Sequence, residues 1–114
     1  MSKIAIRGTL DVHENMRDAV KDVVNRCVAR VRENEPGTLQ YDWYVSDDGS
    51  RCIVFDTYED SDAALFHMES LGPLMNELIG LGTLELDIHG EPSDQLMKAI
   101  APMNPNYYRT LALL

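Results

Sequence analysis

Much of what marks a specialised protein is scarce or missing here. Two cysteines in 114 residues, Cys27 and Cys52, cannot build a disulfide framework, and they lack the C-x-x-C spacing of a redox or zinc site. Cys27 falls on an apolar helix face and Cys52 at a strand start, which predicts buried free thiols and a cytoplasmic protein. Positive charge is also short: 10 Lys and Arg against 19 Asp and Glu leave a net charge of −9. Phosphate recognition needs clustered cations, so a nucleic-acid surface is excluded and an anionic membrane is repelled. No apolar run reaches the ~18 residues of a membrane span, and no basic start followed by an apolar run marks a signal peptide. The three histidines, His13, His67 and His89, are dispersed without ligand spacing, so no metal is expected. Gly80-Leu81-Gly82 precedes a strand, the wrong context for a phosphate loop, and no G-x-S-x-G elbow occurs.

What remains is an ordinary globular composition, 45% hydrophobic and 25% charged. The length predicts one domain over residues 1–114, with a core over 3–90 and a C-terminal helix and arm over 91–114. Ile4, Ile6, Leu10 and Val12 alternate with Lys3, Arg7, Thr9 and Asp11, the period-two pattern of a half-buried strand. From Glu14 to Glu33, Val20, Val23, Val24, Cys27, Val28 and Val31 recur at helical spacing, with Asp11 or His13 as candidate caps. Glu35-Pro36-Gly37 stops this helix. A hairpin follows: Leu39, Tyr41, Trp43 and Val45 alternate with polar neighbours, Asp47-Asp48-Gly49-Ser50 turns the chain, and Cys52 to Tyr58 is rich in β-formers. Asp60-Ser61-Asp62 opens a second helix that carries His67 and meets Gly72-Pro73 as a breaker. Leu84, Leu86 and Ile88 alternate in a last strand, and Glu91-Pro92-Ser93-Asp94 leads into a short helix, Gln95 to Ala101.

The order β-α-β-β-α-β predicts an α+β, ferredoxin-like antiparallel sheet with both helices on one face. The other face needs a cover, and two copies placed sheet to sheet would supply it. A homodimer is expected, with the apolar tail from Asn104 to Leu114 as an arm packed on the partner.

Three segments carry a resemblance. Glu35-Pro36-Gly37-x-Leu39-x-Tyr41, Phe55-Asp56-x-Tyr58-Glu59-Asp60 and Ala63-Ala64-Leu65-x-His67-Met68-x-Ser70 resemble, in order and spacing, the antibiotic biosynthesis monooxygenase domain of the dimeric α+β barrel superfamily. The resemblance implies a homodimer with one cavity per subunit between sheet and helices. It also implies oxidation of aromatic phenols or quinols by O₂, with neither metal nor flavin. Two departures stand out: Asp56 replaces the usual Glu, and Tyr58 the usual Trp. Related barrels degrade haem, but Arg7 and Thr9 stand where those relatives carry an Asn, and their Trp is missing too.

A cofactor-free oxygenase must deprotonate its substrate and stabilise the anion that reduces O₂. His67, at the family's histidine position, is the candidate catalytic base; the alternative is a histidine that ties a loop down. Tyr41, Trp43 and Tyr58 are candidate pocket walls for a small aromatic molecule, the alternative for each being core. Asp56, Arg7 and Thr9 are candidate substrate-binding groups, on the expectation that strand carboxylates (Asp42, Asp56, Glu85, Asp87) share a polar face with Arg7, Thr9 and His89. Which face of the hairpin lines the cavity is open at this stage. Two further readings stand beside the oxygenase: a non-catalytic barrel that binds a small apolar ligand, and a haem-binding or haem-degrading relative.

Overall fold

The computed structural model describes residues 3–114. Strand β1 (Ile4–Val12) leads into helix α1 (Arg17–Asn34), then the hairpin β2 (Thr38–Val45) and β3 (Arg51–Tyr58). Helix α2 (Ser61–Ile79), strand β4 (Gly82–His89), helix α3 (Asp94–Ile100) with a closing 3₁₀ turn (Ala101–Met103), and a short strand β5 (Asn106–Tyr108) complete it. The five-stranded sheet has the order β2-β3-β1-β4-β5 and is open. The expected ferredoxin-like core is present, and β5 adds a strand parallel to β4, with Ile88 opposite Tyr107. The fifth strand was not foreseen, since three residues give too short a period to recognise.

Burial follows the alternation read from the sequence in β1 and β3. Of the apolar series in the edge strand β2, only Tyr41 and Trp43 are partly covered, and Leu39 and Val45 are exposed. Ile4, Ile6 and Leu10 of β1 and Cys52, Val54 and Tyr58 of β3 are buried under the helices, as are Val20, Val23, Cys27 and Val31 of α1. Two apolar clusters result. One joins α1 to the centre of the sheet and the far end of α2. The other joins Ile4, Ile6 and Tyr58 to Ala64 of α2 and to Leu96 and Ile100 of α3. Burying a leucine such as Leu96 completely contributes about 1.5–3 kcal/mol, so α3 is held to the sheet by its own packing.

The element ends have local causes. Neither Asp11 nor His13 caps α1; the chain turns through Asn15 in left-handed backbone (φ 67) and the helix starts without a side-chain cap. In α2 the Asp60 side chain accepts from the Ala63 N–H, and in α3 the Ser93 side chain accepts from that of Leu96. The Gly72-Pro73 breaker does not end α2 but kinks it: Gly72 takes φ 22 and ψ −100, and the helix resumes to Ile79. Arg30 of α1 donates to the Ser70 carbonyl just before the kink.

The β1–β3 register corrects one expectation. Ile6 lies opposite Asp56, and Arg7 opposite Phe55. Asp56 therefore shares the helix-covered face with Val54 and Tyr58, whereas Arg7 and Thr9 stand on the open face. The polar face foreseen for Arg7, Thr9 and Asp56 together is in fact two faces. The tail is likewise divided: Asn106–Tyr108 pairs with β4, while Leu111, Leu113 and Leu114 are exposed.

Candidate active site

Three elements converge between the sheet and α2. The apolar stripe of α1, which carries Cys27 and then Val31, continues one turn further to Glu35 and buries that carboxylate. The Pro36-Gly37 turn then backs onto α2: a Cβ built on Gly37 would stand 2.8 Å from the Ala63 Cβ. One helical turn after Ala63 comes His67, and its Nδ1 lies 2.7 Å from Glu35 Oε1. The same carboxylate oxygen accepts from Thr38 Oγ1 at 2.8 Å. Burial alone would raise the Glu35 carboxyl, but the hydrogen bonds from His67 and the Thr38 hydroxyl hold it below the ordinary carboxylate range. An ionised carboxylate only accepts, so Nδ1–H donates and Nε2 is the ring nitrogen left to act as a base.

Asp56 and Tyr58 face the same space from β3. The Tyr58 hydroxyl donates to Asp56 Oδ2, and Asp56 Oδ1 has no partner among the described residues. Burial pushes the Asp56 carboxyl up to about 6, although Tyr58 and His67 pull it back. Burial, with Asp56 beside it, drives the Tyr58 hydroxyl far above the phenol range, which keeps it protonated and able to donate. The Tyr58 ring centroid is 5.1 Å from that of His67, and Tyr41 flanks the imidazole on another side at 5.2 Å. His67, 4% exposed, is held in one orientation by these contacts.

Asp56, Tyr58 and His67 together line a cavity of about 300 Å³ closed by side chains of α2, β4 and α3. A buried acid, a buried base and a phenol donor in one apolar cavity is the arrangement expected of a proton-transferring site. Tyr41 and Trp43 do not line it. They face a second, larger groove of about 840 Å³ between α1 and the edge strand β2, rimmed by the exposed Arg17, Asp18 and Lys21. That groove carries no buried acid–base pair among the described residues, so the smaller cavity is the candidate site. Arg7 and Thr9, across the sheet, reach neither. Among the described residues no group of three or more His, Cys, Asp or Glu side chains could hold a metal ion.

The match that decides kinship covers the polar end of this site: residues 3–72 fit the family model for antibiotic biosynthesis monooxygenase. The chain belongs to the antibiotic biosynthesis monooxygenase family. Solved structures share the fold at low identity. MupZ from Pseudomonas fluorescens is 19% identical with a TM-score of 0.86, covering 100% of this chain and 94% of its own. Rv0793 from Mycobacterium tuberculosis is 22% identical with a TM-score of 0.70, covering 82% of this chain and 97% of its own. SnoaB from Streptomyces nogalater, a cofactor-independent oxygenase, is 19% identical with a TM-score of 0.66, covering 77% of this chain and 91% of its own. No protein of curated function matches the chain.

Within this family member, Glu35 is the functional candidate that sequence reasoning passed over. It stands in the motif Glu35-Pro36-Gly37, whose turn chemistry accounts for Pro36 and Gly37 but not for the acid. The signal lay in its phase: four residues after Val31, a carboxylate on the buried stripe requires a buried partner.

Proposed function

We propose that this protein is a cofactor-independent oxygenase that deprotonates a phenol or quinol at His67 and lets the resulting anion reduce O₂ directly. The observation that carries the reading is the buried Glu35–His67 pair opening on a cavity shared with Asp56 and Tyr58. Glu35 keeps the proton on Nδ1, so Nε2 is the base. For a hydroquinone the balance closes without a reductant: hydroquinone and O₂ become hydroxyquinone and water. One oxygen atom forms the new C–O bond, the other leaves as water, and all the electrons come from the substrate. The proton taken by His67 returns to the outer oxygen of the hydroperoxide as its O–O bond breaks. Desolvation in the apolar cavity strengthens each of these polar contacts. The haem reading is weaker, since a cavity of about 300 Å³ is at the small end of ligand pockets and below the size of a tetrapyrrole.

The open face of the sheet supports a homodimer. Phe55 and Tyr44, which meet edge to face at 5.8 Å, and Tyr108 are exposed there around Arg7. A second copy would cover them, with the apolar arm contributing to the contact. Two buried free thiols suit the cytoplasm.

The test is oxygen uptake by metal-free protein with a panel of hydroquinones and phenols, parent beside His67→Ala. Uptake that scales with protein and drops about a hundredfold or more in the variant is the expected result, the usual scale for loss of a general base. Uptake untouched by the substitution would remove His67 from the mechanism. No uptake with any compound would favour the non-catalytic binding barrel.

A further inference from the structure

The polar end of the cavity and its walls come from different parts of the chain. Asp56, Tyr58 and His67 lie within residues 3–72, the stretch that defines the family. Most of the wall lies beyond it: Met75, Leu84, Leu86, Leu96, Ile100 and Met103. These are aliphatic or thioether side chains. The flat rings that would sandwich a polycycle, Tyr41 and Trp43, are turned to the other groove. Among the described residues no lysine or arginine lines the cavity; the Asp56 carboxylate sits at its inner end, and Glu35 lies behind His67. Asp56, Tyr58 and His67 are all buried, whereas Asn76 and Ile79 on the same lining are exposed, so the polar end is the deep end and the kinked half of α2 forms the mouth.

We infer that the site takes a single-ring phenol or hydroquinone bearing a flexible alkyl chain, and not a fused polycyclic aromatic. The inference rests on the oxygenase reading only for the phenolic head. The ring sits at the deep end against Tyr58 and His67, its hydroxyl donates to His67 Nε2, and the chain runs along Met75, Leu84, Leu86 and Ile100 toward the mouth. Three physical facts favour this ligand. Methionine and aliphatic walls adapt to a bending chain, while a rigid fused plane needs a preformed slot. A cavity of about 300 Å³ accepts a narrow chain that can emerge at the mouth more readily than three or four fused rings. An anionic head would face the Asp56 carboxylate with no lysine or arginine to meet it, so the phenolic head enters without negative charge.

Calorimetric binding under argon separates this inference from turnover. The probes are para-pentylphenol, hydroxyanthracene of similar hydrophobicity, and para-pentylbenzoate, each at neutral pH. Para-pentylphenol should bind at least tenfold more tightly than either of the others. Leu86→Phe and Met75→Phe, which fill the wall at two half-buried positions, should each weaken it about tenfold with the far-ultraviolet circular dichroism unchanged. Hydroxyanthracene binding as tightly as para-pentylphenol, or no binding of any probe, would overturn the inference. Equal binding of the benzoate would overturn the neutral head. Tight para-pentylphenol binding without oxygen uptake would sustain this ligand class and sink the oxygenase alone.

Discussion

Asp56 is the residue whose environment departs furthest from its solution chemistry while remaining within reach of titration. Its carboxyl is raised from the ordinary 3.8 to about 6 by burial. Below pH 4 it is protonated in both folded and unfolded chains and contributes nothing to the pH dependence. Between pH 4 and 6 the folded state holds a proton that the unfolded state has released, so stability falls as pH rises, and the full cost is present above 6. Asp56→Asn keeps an acceptor for the Tyr58 hydroxyl and removes the charge. The variant should therefore gain stability over the parent as pH climbs from 4 to 6, reaching on the order of 3 kcal/mol at pH 7. Urea midpoints for both proteins at each pH measure it. Glu35 has the opposite sign, stabilising above its unfolded value and losing that contribution as pH falls, but it is present in both proteins and cancels in the difference. A difference that stays flat across pH would contradict the buried, strained carboxyl.

At the scale of elements, the site depends on how closely the turn before β2 lies against α2. Gly37 permits that contact, because a Cβ there would stand 2.8 Å from the Ala63 Cβ and 3.2 Å from Glu59 Oε1. Gly37→Ala should push the turn off the helix, part Glu35 from His67, and cost about 1–3 kcal/mol as an overpacked contact. Ala63→Gly in the same chain removes the clashing methyl and should recover much of the lost activity. It adds about 1 kcal/mol of helix cost, so stability recovers less. Paired denaturation and activity measurements on the single and double variants check this. Failure of the second change to restore activity would place the damage elsewhere than the Gly37–Ala63 contact. The kink at Gly72 works in the same direction, since it lets one helix supply both the deep His67 and the Met75 of the outer wall.

For the whole molecule, the proposed homodimer gives the C-terminal segment its role. Strand β5 caps the edge of β4, and the tail is drawn back toward Glu91, which accepts from the Thr110 N–H and pairs with Arg109 at 3.6 Å. Leu111, Leu113 and Leu114 beyond it are exposed, as is Tyr108 of β5. Truncation after Asn104 removes the arm and β5 together. The shortened chain should keep its circular dichroism, since Leu96 and Ile100 remain, but dissociate at roughly tenfold higher concentration in sedimentation than the full chain, a shift of about 1.4 kcal/mol. A truncated protein that stays dimeric as strongly as the parent would show that the arm takes no part.

Periodicity was enough to read the β-α-β-β-α-β order, the two buried thiols and the helix bearing His67, because alternation and helical spacing are local properties of the chain. The chain's resemblance to its family was legible in three short segments for the same reason. Register is not local. Only the pairing of Ile6 with Asp56 put Asp56 beside His67 and sent Arg7 and Thr9 to the far face, since one residue of shift exchanges the two faces of a strand. Tyr41 and Trp43 share the helix face with Asp56, but the packing of α1 gives them a different groove. Glu35, 32 residues from His67 in the chain, became its partner only when the turn closed on α2. The elements were therefore determined by the sequence in short stretches, and the site by tertiary structure, because a buried hydrogen-bonded pair and a cavity wall are made of residues that meet only after the sheet has chosen its register.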